Sequence, residues 1–301
     1  MTVTGKKQDW EKFFEEFRRS YKLKRLVIFD LDGVIYRGGE GLPFAAEAVS
    51  GLRELGVHVR FLTNNSTRSR SSYSEKLRGL GIEAGPDDFM SSSLATRIYL
   101  QKRAPKGARV FIVGEQGIED ELKDSFEIVG EQDRRRADFV VVGYDRQFNF
   151  DKLCNAFDAL QAGAELVATN RDATFPMPDG RLLPGGGTIV AALEAAWERE
   201  PYVCGKPNPL GIRVLMKYAG AAEDETLLVG DRPSSDMITG SNAGVQTCLV
   251  LTGVTSREQS KSLEGELKPN YVIDDLGSLL SLECFKKSEE KTSDDEGSPS
   301  R

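Results

Sequence analysis

The sequence predicts an α/β protein with a parallel-sheet core and a second, smaller α/β domain inserted into that core. Apolar runs alternate with amphipathic stretches along most of the 301 residues, as in sheets flanked by helices. The run at 26–29 is wholly apolar, which indicates a strand that is covered on both faces. At Arg109 the alternation restarts with apolar runs of its own, so we expect a second domain there.

Composition and charge narrow the function before any motif is considered. The net charge of −7 and the pI near 5.1 argue against a nucleic-acid-binding surface. No apolar stretch reaches the roughly 20 residues that span a bilayer, and the N-terminus lacks the apolar core of a secretory signal. The four cysteines are far apart and form no CxxC pair, which is typical of reduced thiols. We therefore expect a cytoplasmic protein without a nucleic-acid or membrane partner.

The histidine count excludes further classes of site. His58 is the only histidine, so zinc sites with two or three histidines are excluded. A Ser-His-Asp triad could be built only around His58, which lies in an alternating, strand-like run and is interpreted as structural. Catalysis is therefore expected to depend on carboxylates.

Periodicity places the elements along the chain. Apolar or alternating runs predict strands at 26–29, 57–62, 109–114, 138–145, 165–170, 226–230, 246–251 and 271–273. Spacings of three and four predict helices at 9–21, 43–55, 71–80, 115–125, 150–162 and 188–199. Three more are predicted: one that ends at 218, one that begins at 234 or 235, and one at 277–285. The first helix carries an aromatic stripe that either packs on the core or binds a partner. Residues 286–301 are polar and of low complexity, so a disordered acidic tail is predicted.

Functional side chains follow the ends of three predicted strands. Asp30 and Asp32 end the first apolar run, and Asp231 ends the strand at 226–230, with Asp236 about one helical turn later. In open α/β sheets ligands bind beyond the carboxyl ends of the strands, so these segments are expected to meet at one edge. Thr63, Asn64 and Asn65 follow the second strand as a cradle of hydroxyl, amide and backbone N–H groups for an anion.

Lys206 completes this set of residues. It lies in CGKPNP, where a glycine and two prolines constrain the loop. Several carboxylates close together repel one another and need a cation, and oxygen-only ligands favour Mg²⁺. A hard dication, a lysine and backbone N–H groups are what a transferring phosphoryl group needs. Asp30 can attack phosphorus, and Asp32 can protonate the leaving oxygen and later deprotonate water.

Four motifs in order, DLDGV, LTNNST, GKPNP and GDRPSSD, resemble those of the haloacid dehalogenase-like (HAD) phosphohydrolase superfamily. The inserted block ends in VATNRD and LPGGGT and resembles the C2-type cap of the NagD, 4-nitrophenylphosphatase and phosphoglycolate phosphatase branch. The resemblance covers about residues 24–285 and implies a Rossmann-like core. We expect the core at 22–89 and 200–285, the cap at 90–199 and an N-terminal extension at 1–21.

The resemblance also implies roles for the residues of these motifs. Asp30 would be the nucleophile and a Mg²⁺ ligand, and Asp32 the general acid/base and a ligand through its backbone carbonyl. Asp231 would bind the metal directly and Asp236 through water. Thr63, Asn64 and Asn65 would bind the phosphoryl oxygens, with Lys206 neutralising their charge.

The cap is expected to select the substrate, a small phosphate monoester. Its loop at 171–183 would face the leaving group, with Arg171, Phe175, Asp179 and Arg181 as candidates, and phosphoglycolate as a first guess because a small acid suits a basic residue. Sugar phosphates, glycerol phosphates and nucleoside monophosphates are alternatives, as are a phosphoprotein phosphatase and a non-catalytic phosphometabolite sensor. Gly185–Gly187 is a hinge or a second phosphate cradle. A monomer and a homodimer through the cap both stay open.

Overall fold

A computed structural model describes residues 24–176 and 181–285 of the chain. The predicted N-terminal helix, the predicted disordered tail and Asp179 lie outside these residues. In the described ranges the strands are β1 (Leu26–Phe29), β2 (Tyr36–Arg37), β3 (Glu40–Gly41), β4 (His58–Thr63), β5 (Phe89–Ser91), β6 (Arg109–Val113), β7 (Glu127–Ile128), β8 (Phe139–Val142), β9 (Glu165–Ala168), β10 (Thr174–Pro176), β11 (Leu182–Pro184), β12 (Tyr202–Val203), β13 (Thr226–Gly230), β14 (Gln246–Val250) and β15 (Tyr271–Ile273). The α-helices are α1 (Ala45–Glu54), α2 (Arg70–Gly79), α3 (Ser92–Arg103), α4 (Gln116–Leu122), α5 (Phe150–Gln161), α6 (Gly186–Trp197), α7 (Leu210–Ala219), α8 (Ile238–Ala243) and α9 (Arg257–Lys261).

Two parallel sheets form the framework of the protein. The first has six strands in the order β15-β14-β13-β1-β4-β5, and the second has five in the order β12-β9-β8-β6-β7. Two short antiparallel ribbons, β2 with β3 and β10 with β11, extend from them. The predicted α/β fold with a parallel-sheet core is confirmed, and the additional sheet is parallel as well.

Strand β1 occupies the centre of the first sheet. Its four residues are fully buried, and their side chains alternate between two hydrophobic clusters on opposite faces of the sheet. Val27 and Phe29 pack on one face, and Leu26 and Ile28 on the other. A wholly apolar run is therefore required because both faces of this strand are covered.

The cluster containing Ile28 also connects the two sheets. It includes Leu228 of the first sheet together with Val141 and Val167 of the second. Helix α3 contributes Leu94 and Leu100 to this cluster. The inserted block is therefore joined to the core by the two connecting segments of the chain and also packs on it through a continuous apolar contact.

Two strands cross the predicted borders of the inserted block. Strand β5 (Phe89–Ser91) spans the border at 89/90 and pairs with β4 in the first sheet. Strand β12 (Tyr202–Val203) lies beyond the border at 199/200 but pairs with β9 in the second sheet. The division into core and cap stays a prediction, with these strands shifting its borders by two to four residues.

Several elements differ from the sequence-based expectation. The segment predicted as a final helix at 277–285 forms two 3₁₀ turns, Leu276–Ser281 and Glu283–Phe285. The helix expected from Ser234 or Ser235 begins as a π-helical turn at Pro233–Met237 and becomes regular only in α8. None of the helices described here is long and apolar enough to cross a membrane.

Candidate active site

The candidate site lies where β1, β4 and β13 end side by side. Phe29 is paired with Val229 on one side and with Phe61 on the other, so the residues that follow these strands become neighbours. The backbone N–H of Asp30 donates to the carbonyl of Val229 at 2.8 Å, which extends the ladder by one residue. Asp30, Asp231 and Thr63 therefore meet at the carboxyl edge of the sheet, as the sequence predicted.

Three buried carboxylates form the centre of this site. Asp30, Asp231 and Asp236 each offer an oxygen atom, and these oxygens lie within 4.8 Å of one another. Burial raises the pKa of Asp30 well above its ordinary value, with Lys206 opposing and Asp236 and Asp231 adding to the rise. Burial and the charge of Asp236 raise the pKa of Asp231 to about 6. The cluster is therefore electrostatically costly without a cation.

Lys206 supplies one positive charge to this cluster. Its Nζ lies 2.8 Å from Oδ1 of Asp30 and 2.6 Å from Oδ1 of Asp236, and the lysine is buried. Burial disfavours the ammonium form, but Asp236 and Asp30 outweigh it and raise the pKa of Lys206 above its ordinary value. Lys206 therefore stays charged between two carboxylates.

The loop carrying Lys206 is held in place by Asn64. The backbone N–H of Lys206 donates to Oδ1 of Asn64 at 2.7 Å, and Nδ2 of Asn64 donates to the carbonyl of Lys206 at 3.1 Å. A Cβ on Gly205 would stand 2.5 Å from Oδ1 of Asn64, so only glycine allows this approach. The peptide bond between Lys206 and Pro207 is cis.

Asp231 is enclosed by two glycines. A Cβ on Gly33 would lie 2.5 Å from Oδ2 of Asp231, and a Cβ on Gly253 would overlap the same carboxylate. The backbone N–H of Val254 donates to this Oδ2 at 2.8 Å. Gly33 also has a φ of 84°, in the left-handed region that favours glycine. The glycine of the DLDG motif is therefore explained by both its backbone conformation and the carboxylate against it.

Asp32 lines the same cavity but belongs to a different group of side chains. It bridges to Tyr36 in a short backbone pairing, and Nζ of Lys76 stands 3.1 Å from the centre of the Tyr36 ring. Burial raises the pKa of Asp32, with Lys76 and Lys206 opposing. Asp32 therefore lies beside Tyr36 and Lys76, whereas Asp30 is in direct contact with the Lys206 ammonium.

The segment after β4, predicted as an anion cradle, lines the cavity with Thr63, Asn64 and Asn65. Oγ1 of Thr63 accepts the backbone N–H of Asn65 at 3.1 Å, and the Thr63 hydroxyl also interacts with the Tyr73 side chain. Oδ1 of Asn65 accepts from both the N–H and the hydroxyl of Thr67, so the Asn65 side chain shapes the loop. Because the Asn64 side chain holds the Lys206 loop, the backbone N–H of Asn64 is its remaining donor for an anion.

A cavity of about 410 Å³ opens above these groups. The first sheet and its loops contribute mainly charged and polar lining residues, among them Asp30, Asp32, Thr63, Lys206, Asp231, Arg232, Asp236 and Arg37. The second domain closes the opposite side with Tyr144, Asn170, Asp172, Thr174, Phe175, Leu182, Gly185 and Gly186. The volume is that of a small-molecule pocket, for which roughly 300–1,000 Å³ is typical.

The carboxylate cluster meets the requirements of a divalent cation site. Three carboxylates face a single lysine, which leaves an excess of negative charge in a buried position. All the candidate ligand atoms are oxygens, the donors that hard divalent ions prefer. The residues present therefore fit a bound divalent metal.

Comparison with known proteins gives the family of the chain. Residues 27–125 match the profile of the haloacid dehalogenase-like hydrolases, and residues 203–279 match the HAD-hydrolase-like profile. Phosphoglycolate phosphatase 1A of Arabidopsis thaliana is 35% identical over 274 residues, covering 84% of this chain and 76% of the relative. The chain belongs to the haloacid dehalogenase-like hydrolase family.

Other members of the HAD family agree in sequence and in structure. The 5′-nucleotidase YutF of Bacillus subtilis is 36% identical over 83% of this chain and 94% of its own length. The crystal structure of glycerol phosphate phosphatase from Mycobacterium tuberculosis in complex with magnesium superposes with a TM-score of 0.78 at 33% identity, over 85% of this chain and 76% of that one. The chain is thus a phosphoric monoester hydrolase of the HAD family, as its motifs predicted.

Two residues predicted for the HAD cap take different positions. The Phe175 ring lines the cavity, where it stacks on Tyr144 with ring centroids 4.7 Å apart. The Arg171 guanidinium instead pairs with Glu194 at 2.5 Å, is half exposed, and does not line the cavity. Arg171 is therefore removed from the predicted substrate-binding residues, because its partner on α6 holds it away from the site.

The glycine run before α6 packs tightly and does not form a second cradle. The N–H of Gly185 donates to the carbonyl of Ala173 at 2.8 Å, and that of Gly187 donates to the carbonyl of Asp172 at 3.0 Å. A Cβ on Gly185 or Gly187 would overlap the backbone carbonyls of Asp172 and Arg171. These glycines therefore allow the segment to cross closely over the loop that follows β9.

Sequence reasoning missed two polar residues of the cap that reach the core. Nδ2 of Asn170 donates to the carbonyl of Asn64 at 2.8 Å, and Oδ1 of Asp172 accepts from Nδ2 of Asn64 at 3.1 Å. Both residues belong to the VATNRD segment, which directly follows an apolar run, and this was the available signal. Together they connect the cap to the residue that positions Lys206.

Proposed function

We propose that this chain is a Mg²⁺-dependent phosphatase of small phosphate monoesters that acts through an aspartyl-phosphate on Asp30. The observation that carries this proposal is the bridging of Asp30 and Asp236 by Lys206 beside Asp231. In this proposal Asp30 is the nucleophile, Lys206 its neighbouring cation, and the acidic cluster the metal site, all of them lining one cavity.

In the first step an oxygen of Asp30 attacks phosphorus, and the bond from phosphorus to the leaving oxygen breaks. The Lys206 ammonium and the backbone N–H groups after β4 balance the charge of the phosphoryl oxygens. Thr63 lines the same cavity, and in this proposal its hydroxyl turns toward one of these oxygens when substrate binds. The contact of 2.8 Å between Lys206 and Asp30 orients the attacking carboxylate.

Asp32 is the proposed proton carrier. Its raised pKa favours the protonated form, which can transfer its proton to the leaving oxygen as that oxygen gains the electron pair. The resulting carboxylate can then take a proton from the water that hydrolyses the aspartyl-phosphate. Phosphate is released, and Asp30 and Asp32 return to their starting forms.

Asp30, Asp231 and the backbone carbonyl of Asp32 would hold the Mg²⁺, with Asp236 acting through water. When bound, the ion supplies positive charge for the phosphoryl oxygens and relieves the repulsion among the carboxylates. The magnesium complex of the M. tuberculosis relative supports this choice of metal.

The small size of the cavity supports a metabolite over a phosphoprotein as the substrate. Residues of the second domain lie opposite the catalytic groups and limit the space to about 410 Å³. A nucleoside monophosphate stays a second candidate, supported by the 5′-nucleotidase among the relatives.

A cytoplasmic location is proposed on the basis of the four unpaired cysteines.

Phosphate release from a panel of phosphate monoesters, with and without Mg²⁺, tests the proposal. We expect release that stops on chelation, returns with added Mg²⁺, and is lost in Asp30→Asn. Trapping of the phosphorylated enzyme, followed by mass spectrometry, is expected to place the phosphoryl group on Asp30. Full turnover in Asp30→Asn would overturn the mechanism.

A further inference from the structure

The cap side of the cavity is aromatic and mostly uncharged. Tyr144 is buried, Phe175 is half buried, and the exposed Leu182 side chain borders the same space. Among the described lining residues from the second domain, Asp172 alone carries a formal charge. The region that receives a leaving group is therefore chemically unlike the phosphoryl site below it.

The stacked pair of Tyr144 and Phe175 is held in place by backbone packing. The two rings are nearly parallel, at an interplanar angle of 10° and a centroid distance of 4.7 Å. Phe175 pairs with Leu183 in the β10–β11 ribbon, which sets the side of the ribbon on which the ring stands. A Cβ on Gly186 would lie 3.0 Å from the backbone nitrogen of Tyr144, so the two segments are in close contact. The pair thus presents a preformed aromatic wall.

Among the described residues that line the cap side of the cavity, none offers a cation to an acidic leaving group. Lys206 is engaged by two carboxylates below, and Arg171 pairs with Glu194 outside the cavity. Asp172 is the one charged side chain among the described lining residues of the cap side, and its carboxylate would repel an acid. The remaining lining cations, Arg37 and Arg232, both come from the first domain.

We propose that Tyr144, Phe175 and Leu182 select substrates whose leaving group is a flat, uncharged ring. The inference rests on the proposed phosphatase function and adds the substrate class to it. A flat ring can lie against the aromatic wall in the offset or edge-to-face arrangements that aromatic pairs prefer. Small acids such as glycolate would lose this contact and gain repulsion from Asp172.

Three phosphate esters with alkoxide leaving groups separate ring stacking from other effects. Benzyl phosphate carries the flat ring, cyclohexylmethyl phosphate a bulky ring that is not flat, and 2-phosphoglycolate a small acid. We expect kcat/KM to be highest for benzyl phosphate. In Phe175→Ala the ratio of kcat/KM for benzyl phosphate to that for phosphoglycolate is expected to fall about tenfold.

Two further variants keep the proposal testable if Phe175→Ala does not fold. Leu182→Ala changes an exposed side chain of the wall and should lower the same ratio, while Phe175→Leu keeps apolar bulk and should still lose the preference for benzyl over cyclohexylmethyl. Phe150→Ala is the matched control, because Phe150 lies on the same domain but is 73% exposed and outside the cavity lining. Phe150→Ala should leave unchanged both the ratio of kcat/KM for benzyl phosphate to that for phosphoglycolate and the ratio for benzyl to cyclohexylmethyl phosphate.

Equal loss for all three esters in Phe175→Ala would overturn the proposal, as would a wild-type preference for phosphoglycolate that disappears in Arg232→Ala. Equal rates for the benzyl and cyclohexylmethyl esters would also overturn it. Failure of the underlying phosphatase function is distinguishable, since none of the esters would then release phosphate in a reaction that requires Asp30.

Discussion

Asn64 and Lys206 hydrogen-bond to each other in both directions. The Lys206 N–H donates to Oδ1 of Asn64 at 2.7 Å, and Nδ2 of Asn64 donates back to the Lys206 carbonyl at 3.1 Å. The same amide reaches Oδ1 of Asp172 in the cap. One side chain from the loop after β4 therefore aligns Lys206, the proposed catalytic lysine, and also contacts Asp172 of the inserted block.

Replacement of Asn64 by alanine is expected to lower kcat more than it raises KM. The buried Lys206 N–H would lose its acceptor, at a cost of about 1–3 kcal/mol in unfolding free energy. A lysine displaced by about 1 Å could reduce turnover by roughly a hundredfold. Kinetics and chemical denaturation measure both effects.

Asn242 offers the matched control for this variant. Its Nδ2 donates to the Pro207 carbonyl at 3.0 Å, on the exposed side of the same loop. Asn242→Ala should therefore destabilise by at most about 1 kcal/mol and leave kcat near that of the wild type. A loss of kcat in Asn242→Ala as large as in Asn64→Ala would contradict the assigned role.

Gly253→Ala is expected to remove most activity from a folded protein. The added methyl group would overlap the Asp231 carboxylate and displace it from Asp30. Gly79→Ala, at the end of α2 where an added methyl group would point into open space, should have no such effect. Circular dichroism and phosphate release compare the two variants, and wild-type turnover in Gly253→Ala would show that the Asp231 position is not needed.

Mg²⁺ is expected to raise the melting temperature of the wild-type protein. Three buried carboxylates lie together and Lys206 pairs with only two of them, so a bound dication relieves their repulsion and stabilises the folded state by mass action. Asp231→Asn should melt at a higher temperature than the wild type when both are free of metal, and its melting temperature should rise less on adding Mg²⁺. Differential scanning fluorimetry over a series of Mg²⁺ concentrations is the measurement. An unchanged metal response in Asp231→Asn would remove Asp231 from the ligands.

Arg171→Ala is expected to leave kcat/KM within about twofold of wild type for every ester tested. The guanidinium pairs with Glu194 at the half-exposed edge of α6, so its loss should cost less than about 1 kcal/mol in stability. The comparison with Phe175→Ala is direct, because the two residues are only four positions apart in the chain. A selective loss with phosphoglycolate in Arg171→Ala would restore this residue to the substrate site.

Cys154 is expected to be the one cysteine that iodoacetamide modifies rapidly in the native protein. It is exposed on α5, whereas Cys204, Cys248 and Cys284 are buried. Burial also raises the pKa of Cys204 to about 12, which suppresses its reactive thiolate. Mass spectrometry should find one modified thiol per native chain and none in Cys154→Ser. Rapid modification of a second thiol would contradict the packing around the buried cysteines.

The sheet and the acidic edge were predictable because their signals are local. A wholly apolar run that ends in a carboxylate marks a buried parallel strand and its tip, and this pattern occurs at Asp30 and again at Asp231. The 3₁₀ turns near Leu279 and the short strand β5 were not predicted. Their apolar spacing fits more than one secondary structure, and packing against the first sheet decided between them.

The sequence did not predict which way the side chains of the site point. Arg171 and Phe175 are four residues apart, and nothing in the local sequence indicates that one pairs with α6 while the other lines the cavity. The β10–β11 pairing and the Glu194 carboxylate decide this. Asp172 was missed for the same reason, because its partner Asn64 is distant in the chain.

The sequence by itself determined which chemical groups stand at the strand tips, since buried strands and their ends follow from short-range patterns of apolar and polar residues. Only the tertiary structure decided which of those groups touch. The contacts among Asp30, Lys206 and Asp236, and the aromatic wall of Tyr144 and Phe175, join segments that are far apart in the chain. Their geometry depends on how the two sheets pack, and that packing is a property of the whole fold.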